Sequence, residues 1–311
     1  MAQLAELIKS VNNTSDQVVE LSDQDIKMIQ KLLLSVFDDI LDICNTHHIR
    51  YQMGGGSALG AVRHHGFIPW DDDIDINMYR SDVNKFLIEF KKKYGNKYWL
   101  HIPGETENYD FLMIKIISKQ VYVKELLDSA YDGECGFAID IFIIENEPDN
   151  KLIRKLFQAR CMLGRYILSC LRFKNSKNEL LKMAKGNNEF LKIIRKRIRL
   201  GRLLSFKTVS SWEKKIEKWC SSCKDENSKY VGIASGRKQI NKETYLREDL
   251  KTQEAEFEGR KVKIAKNYSK YLENLYGRNF MQVPPIEKRE KHVVMKFDRN
   301  ALEKSVQLLG K

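Results

Sequence analysis

The chain of 311 residues, 42% hydrophobic and 31% charged, has the length and balance of a folded protein with one large or two small domains. No apolar run approaches the roughly 18–20 residues that span a bilayer, and Met1 to Asp16 lacks the basic-then-apolar order of a secretory signal, so the cytoplasm is the expected location. The formal charge of +12 is concentrated: residues 151–230 hold 22 Lys and Arg against 6 Asp and Glu, a local +16 that leaves −4 elsewhere, which favours one localised anionic partner over general nucleic-acid affinity.

Apolar residues from Ile26 to Cys44 recur at three- and four-residue intervals, which predicts an amphipathic helix over 22–46 with Ser22 as N-cap. A short strand, Ile49 to Met53, leads into Gly54-Gly55-Gly56, and a brief helical pattern follows from Ser57 to His65. Ile74 to Met78 reads as a strand. Ser81-Asp82 is the expected cap of a helix reaching Tyr94, with Gly95 as its stop. Tyr98 to Ile102, Phe111 to Ser118 and Val121 to Lys124 read as strands, the latter two joined by a short connection. Phe137 to Ile144 is a further strand, apolar except for Asp140.

From Asp149 to about Ser222 the pattern turns helical and basic. Lys229 to Pro285 mixes short strands with one clear helix, Tyr268 to Tyr276, stopped at Gly277; residues 296–311 suit a final helix. The expected fold is therefore α+β: a mixed-sheet core flanked by helices, with a basic helical middle segment. Boundaries fall at 1–148 for the core with its N-terminal helix, 149–228 for the basic insertion and 229–311 for the completing part. Six scattered cysteines fit reduced thiols, and the lone Cys220/Cys223 pair reads as neighbours on one helix face rather than a zinc or redox site.

The chemistry is concentrated between Gly54 and Ile76. Asp71, Asp72, Asp73 and Asp75 place four carboxylates in five positions, an arrangement that resists burial without a cation. Strand period puts Asp73 and Asp75 on one face and Ile74 and Ile76 on the other. Hard carboxylate oxygens suit magnesium, which takes one or two carboxylates plus phosphate oxygens and water. Gly55, Gly56 and Ser57, ahead of a short helix, offer amides and a hydroxyl to phosphate. Metal plus phosphate cradle points to phosphoryl-type transfer. Asp140 sits in an apolar strand, where a lone acid is costly unless it pairs with a cation or metal; the metal is favoured, the alternative being a solvated edge position or a hydrogen bond to a turn.

The run from Gly55-Gly56-Ser57 through Arg63-His64-His65-Gly66-Phe67-Ile68-Pro69-Trp70 to Asp71-Asp72-Asp73-Ile74-Asp75-Ile76 resembles the central signature of the LicD family. That family groups bacterial phosphocholine-type transferases with fukutin-like ribitol-phosphate transferases on the nucleotidyltransferase fold. Weaker blocks follow in family order: Lys115 in Phe111–Lys115, Asp140 in Phe137–Phe142, and Glu256-Phe257-Glu258-Gly259 with Tyr271-Leu272 and Leu275-Tyr276-Gly277. The resemblance covers about residues 25–145 and 240–293. It implies Mg²⁺-dependent transfer of a substituted phosphate, phosphocholine or an alditol phosphate, from a CDP-linked donor. The acceptor would be a hydroxyl of a cell-surface glycan, such as lipopolysaccharide or teichoic acid, or of its lipid-linked precursor.

On that reading Asp73, Asp75 and Asp140 hold the metal. Asp140 is alternatively the base, and Asp71 or Asp72 is either a base or a partner of Arg63. Arg63 and Lys115 are phosphate clamps or structural partners of those acids, and one of His64 and His65 contacts ligand. Phe67 and Trp70 pack the acidic strand, and Glu256 and Glu258 are structural. Specificity is expected from a pocket lined by the middle and C-terminal segments. Residues 190–206 interleave apolar and cationic side chains, which suits either contact with an anionic membrane or a helix with a solvated basic face. Two other functions compete: nucleotidyl transfer to a small hydroxyl acceptor, and non-catalytic nucleic-acid binding, which the clustered carboxylates disfavour.

Overall fold

The computed structural model describes residues 19, 21–125, 133–184, 186–237, 239–286, 289 and 294–309, so the Met1–Asp16 reading lies outside the described residues. Helix α1 (Asp23–Thr46) starts as the sequence predicts. Ser22 Oγ accepts from the Asp25 amide at 3.1 Å, and Asp25 accepts from the Ser22 amide at 2.8 Å, closing a reciprocal cap. Strand β1 (Tyr51–Met53) and helix α2 (Gly55–Arg63) follow, then β2 (Ile74–Tyr79) and α3 (Arg80–Tyr94). Ser81 and Asp82 do not cap α3, which begins one residue earlier without a side-chain cap. Both are instead engaged by Arg50, whose Nε and Nη2 donate to Asp82 at 2.7 Å and Ser81 at 2.8 Å.

Strands β3 (Tyr98–His101), β4 (Ile114–Ser118), β5 (Val123–Glu125) and β6 (Ala138–Glu147) complete the first half. The main sheet runs β1-β2-β6-β4-β3, and β7 (Tyr230–Ile233) extends it by pairing with the C-terminal end of β6, with β8 (Thr244–Leu246) outside it. Only β2 and β6 pair in parallel; the other ladders of this sheet are antiparallel. The short connection after β4 does not make a hairpin, because β5 pairs away from the sheet with β11 (Val294–Phe297). A hairpin of β9 (Thr252–Phe257) and β10 (Arg260–Ala265) leads to α8 (Tyr268–Tyr276), and α9 (Arg299–Leu309) ends the described chain.

Register assigns the two faces of the sheet. Ile74 pairs Ile139, Ile76 pairs Ile141 and Met78 pairs Ile143, all buried and packed with α1 and α3 residues such as Phe37, Ile40, Phe86 and Phe90. The opposite face carries Asp75, Asn77, Asp140 and Phe142, and the basic middle segment covers it. Between β6 and β7 that segment forms α4 (Lys151–Asn175), α5 (Lys177–Met183), α6 (Asn188–Leu204) and α7 (Val209–Cys220). Phe157, Cys161, Leu168, Trp212 and Ile216 build a second core there with Leu112 and Ala234. The α4–α6 crossing is close: a Cβ on Gly201 would stand 2.2 Å from the Cys170 carbonyl oxygen.

Arg80 ties this layer to the sheet, donating to Glu145 of β6 and, at 2.5 Å, to Glu217 of α7. Cys220 is the last residue of α7, buried against Cys161, whereas Cys223 lies beyond the helix end, so the pair does not share one helix face. Among the described residues no helix is long and apolar enough to cross a membrane.

Glu213 of α7 is buried; Oε2 accepts from the Gly104 amide, and Oε1 has no hydrogen-bond partner among the described residues. Burial pushes its carboxyl from an ordinary 4.5 up to about 8. The raised value means the folded protein binds a proton that the unfolded chain releases between these limits. Stability is therefore full below about pH 4.5 and falls as pH rises toward 8. Glu213→Gln should flatten this slope, and urea unfolding at pH 5.5 and 8.5, compared with wild type, measures a difference on the order of a few kcal/mol.

Candidate active site

One polar row crosses the sheet. Asp75 of β2 faces Asp140 of β6 in parallel register, Asp140 faces Lys115 of β4, and Lys115 faces His101 of β3. Lys115 Nζ stands 3.0 Å from Asp140 Oδ1, an oxygen that is otherwise buried without a hydrogen bond. The 3.0 Å contact is an ion pair whose angles do not fit a hydrogen bond to that oxygen, so electrostatic attraction holds it while a lone pair stays available. His101 ends the row, with Nε2 2.7 Å from Glu134. The alternation seen in the sequence thus does what the strand period requires, placing the acids together over an all-isoleucine underside.

The glycine run fixes the acidic strand by backbone bonds. The Gly54 amide donates to the Asp75 carbonyl at 2.8 Å, and the Asp75 amide donates to Ser57 Oγ at 2.8 Å. Gly55 has φ +43°, and a Cβ there would meet Asp75 Oδ2 at 2.6 Å, so only glycine fits. Its amide donates to the Tyr271 hydroxyl at 3.0 Å, and Asn77 Nδ2 donates to the same oxygen at 3.0 Å. Ser57 is buried. The Gly55 amide and the Ser57 hydroxyl, expected on phosphate, are therefore engaged within the protein, by the Tyr271 hydroxyl and the Asp75 amide respectively. Gly56 faces Asp71, whose Oδ2 lies 2.9 Å from the position of a Gly56 Cβ, and Gln30 of α1 donates to the Asp71 carbonyl at 2.9 Å.

Arg63 closes α2 and reaches away from both cavities of the site. Its Nη1 donates to the carbonyls of Phe280 at 2.9 Å and Gln282 at 3.1 Å, and its Nε donates to His64 at 2.9 Å. Burial, then the neighbouring guanidinium, lowers the His64 pKa. These two residues lock α2 to the C-terminal segment. Glu258 does likewise: Oε1 accepts from the Phe67 amide at 3.0 Å, and its own amide donates to the His65 carbonyl at 2.9 Å. Phe67 packs on Phe257 with centroids 5.0 Å apart, and the Arg289 guanidinium lies 4.0 Å from the Trp70 ring centre.

Two adjoining cavities open on the acidic row. The larger, about 810 Å³, runs from Gly55, Asp75 and Asn77 to Arg165 and Arg197 of the helical layer. The smaller, about 240 Å³, holds Asp72, Asp73, Lys115 and Asp140. Phe111, Met113 and Arg172 line both, so the carboxylates stand where the spaces meet. Arg172 stacks 3.4 Å from the Phe111 ring centre and donates to Asp110 Oδ1 at 2.9 Å. Arg165 donates to the Arg237 carbonyl, and burial lowers its pKa to about 10. Tyr276 is 47% exposed, but its hydroxyl is turned toward Asp71, Asp73 and Asp75, where local desolvation and then Tyr271 and these carboxylates hold the phenol well above the ordinary value.

Sequence reasoning missed these arginines and Tyr271 and Tyr276 as site residues. The available signals were the family-like blocks that contain Tyr271 and Tyr276, and the spacing of Arg165 and Arg172, seven apart on one helix face. Among the described residues no three carboxylate, thiol or imidazole side chains converge as a ready-made metal cage. The donor set nevertheless fits a hard divalent cation: Asp75 and Asp140 in register, Asp73 beside them, and one buried Asp140 oxygen lacking a hydrogen bond. Magnesium commonly completes such a partial shell with phosphate oxygens and water.

Comparison with known proteins agrees with this geometry. Residues 48–160 match the family described as LicD/FKTN/FKRP, nucleotidyltransferase domain. The chain is 27% identical over 267 residues to the lipopolysaccharide cholinephosphotransferase LicD of Haemophilus influenzae, covering 85% of this chain and 94% of that protein. It is 39% identical over 129 residues to the Rickettsia prowazekii protein RP689, covering 37% of this chain and 48% of that one. Over 44 residues it is 43% identical to human ribitol 5-phosphate transferase FKRP, covering 14% of this chain and 9% of that protein. The resemblance to the LicD family is thereby borne out.

Tyr271→Phe should cost about 1–3 kcal/mol of stability, because it leaves the Gly55 amide and the Asn77 amide group without their acceptor. Equilibrium urea unfolding of the variant measures the loss.

Proposed function

We propose that this LicD-like chain is a transferase that moves a substituted phosphate, phosphocholine or an alditol phosphate, from a CDP-linked donor to a glycan hydroxyl. The observation that carries the reading is the in-register pair Asp75 and Asp140 at the junction of two cavities. One cavity suits the donor and the other admits the acceptor. The relatives named for cholinephosphate and ribitol 5-phosphate transfer support the reaction class. The bond broken is the pyrophosphate P–O bond, CMP leaves, and the phosphate is captured by the acceptor oxygen, which gives up its proton.

Asp73, Asp75 and Asp140 would hold Mg²⁺, which when bound screens the donor's phosphate charges and stabilises the leaving CMP oxygen. The protein's own groups do the rest. Lys115 holds Asp140 in place through the 3.0 Å ion pair. Arg172, which lines both cavities and is held by Asp110 through Nε and Nη2, brings a fixed positive charge to where phosphate charge shifts from one side to the other. Phe111 and Met113 narrow the junction and restrict water, which would otherwise compete with the acceptor hydroxyl. A carboxylate, Asp71 or Asp140, receives the acceptor proton.

Asp75→Asn and Asp140→Asn should each lower turnover on the order of 100-fold or more while leaving the unfolding midpoint near wild type. The assay follows CMP release from CDP-choline and CDP-ribitol together with incorporation into glycan. Pyrophosphate release from a nucleoside triphosphate, without CMP, would replace this reading with nucleotidyl transfer.

A further inference from the structure

Helix α4 carries an apolar face that the core does not use. Leu152, Leu156, Ala159, Leu163 and Tyr166 recur every three or four residues, and all five are exposed, Leu152 by 73% and Leu156 by 71%. Such a stripe on a water-facing helix is costly to leave bare and marks an interaction surface. It runs directly into the larger cavity, whose rim includes Ala159, Met162, Leu163 and Tyr166. Leu152 and Leu156 continue it beyond the rim.

Charge identifies the occupant. Over its 25 residues α4 holds seven Lys and Arg and no Asp or Glu. Lys151, Lys155 and Arg160 are exposed alongside the stripe. Helix α6, packed on α4, turns Phe190, Ile194 and Ile198 inward and exposes Lys192, Arg195, Lys196, Arg199 and Arg202. Phe190, Ile194 and Ile198 of this segment are thus spent in the core, whereas Leu203 and Phe206 at its far end are exposed beside these cations. A second copy of the chain laid on α4 would bring two acid-free cationic surfaces together and repel. An anionic lipid surface matches both the apolar stripe and the surrounding charge.

We propose that the exposed face of α4 docks on an anionic lipid surface and that a lipid-linked acceptor enters the larger cavity over its Ala159–Tyr166 rim. The proposal rests on the phosphate-transfer reading for the identity of the acceptor, while lipid docking itself is measured without turnover. Leu152 and Leu156 lie outside both cavities, so their substitution tests docking alone.

The experiment is co-sedimentation of the full chain with vesicles of phosphatidylcholine alone or containing phosphatidylglycerol. Wild type should pellet with the anionic vesicles and remain in solution with the neutral ones. Leu152→Glu combined with Leu156→Glu should weaken binding roughly tenfold or more, with an unchanged unfolding midpoint. Ile88→Glu, the same kind of change on the exposed side of α3, should bind as wild type. Asp75→Asn, inactive on the reading above, should also pellet as wild type, so failure of the reaction and failure of docking are seen separately. Absence of wild-type pelleting, equal binding by the α4 double variant, or a wild-type dimer in light scattering that the double variant dissolves would each overturn the proposal.

Discussion

The repulsion among carboxylates crowded at the start of one short strand is the constraint around which this fold is arranged. Backbone bonds position Asp71 and Asp75 at the two ends of this acidic run: the Gly54 amide to the Asp75 carbonyl, the Asp75 amide to Ser57, and Gln30 to the Asp71 carbonyl. Among the described residues Lys115 of β4 is ion-paired to Asp140 of the neighbouring strand. Burial of the isoleucines on the underside supplies the hydrophobic stabilisation that offsets the crowding.

The local chemistry of this arrangement was legible in the sequence because the relevant period is short. Asp73-Ile74-Asp75-Ile76 alternates, and a two-residue period fixes faces without knowledge of the rest of the chain. Asp140, one acid in an apolar run, was legible for the same reason, and the Ser22 cap and the Gly277 stop follow from rules that operate within one helical turn. Ser81 and Asp82 misled because the preference for such residues at a cap is local, whereas Arg50, thirty residues away, claims both side chains.

What the sequence concealed is what arrives from far along the chain. Only the seven-residue spacing of Arg165 and Arg172, which line the cavity, sets them apart from Arg160, which faces water on the same basic helix. The partner strand of β5 lies some 170 residues onward in β11, a pairing no turn signal could announce. The 190–206 segment illustrates the converse. Its interleaved pattern was compatible with an external contact or a core contact, and only packing against α4 decides that Phe190, Ile194 and Ile198 are internal while Leu203 and Phe206 are exposed.

The Tyr271 hydroxyl, which accepts from Gly55 across 216 residues of chain, has a consequence for how the protein is made. Every carboxylate of the site has been synthesised by residue 140, yet the oxygen that seats the glycine turn emerges only with the last helix of the central body. During synthesis the acidic strand therefore exists in a nascent chain whose site cannot yet close. Long-range closure of this kind is slow relative to local helix formation, so the centre is among the last parts to become ordered. A C-terminally truncated chain would hold the full acidic motif without the hydroxyl that seats the glycine turn beside it.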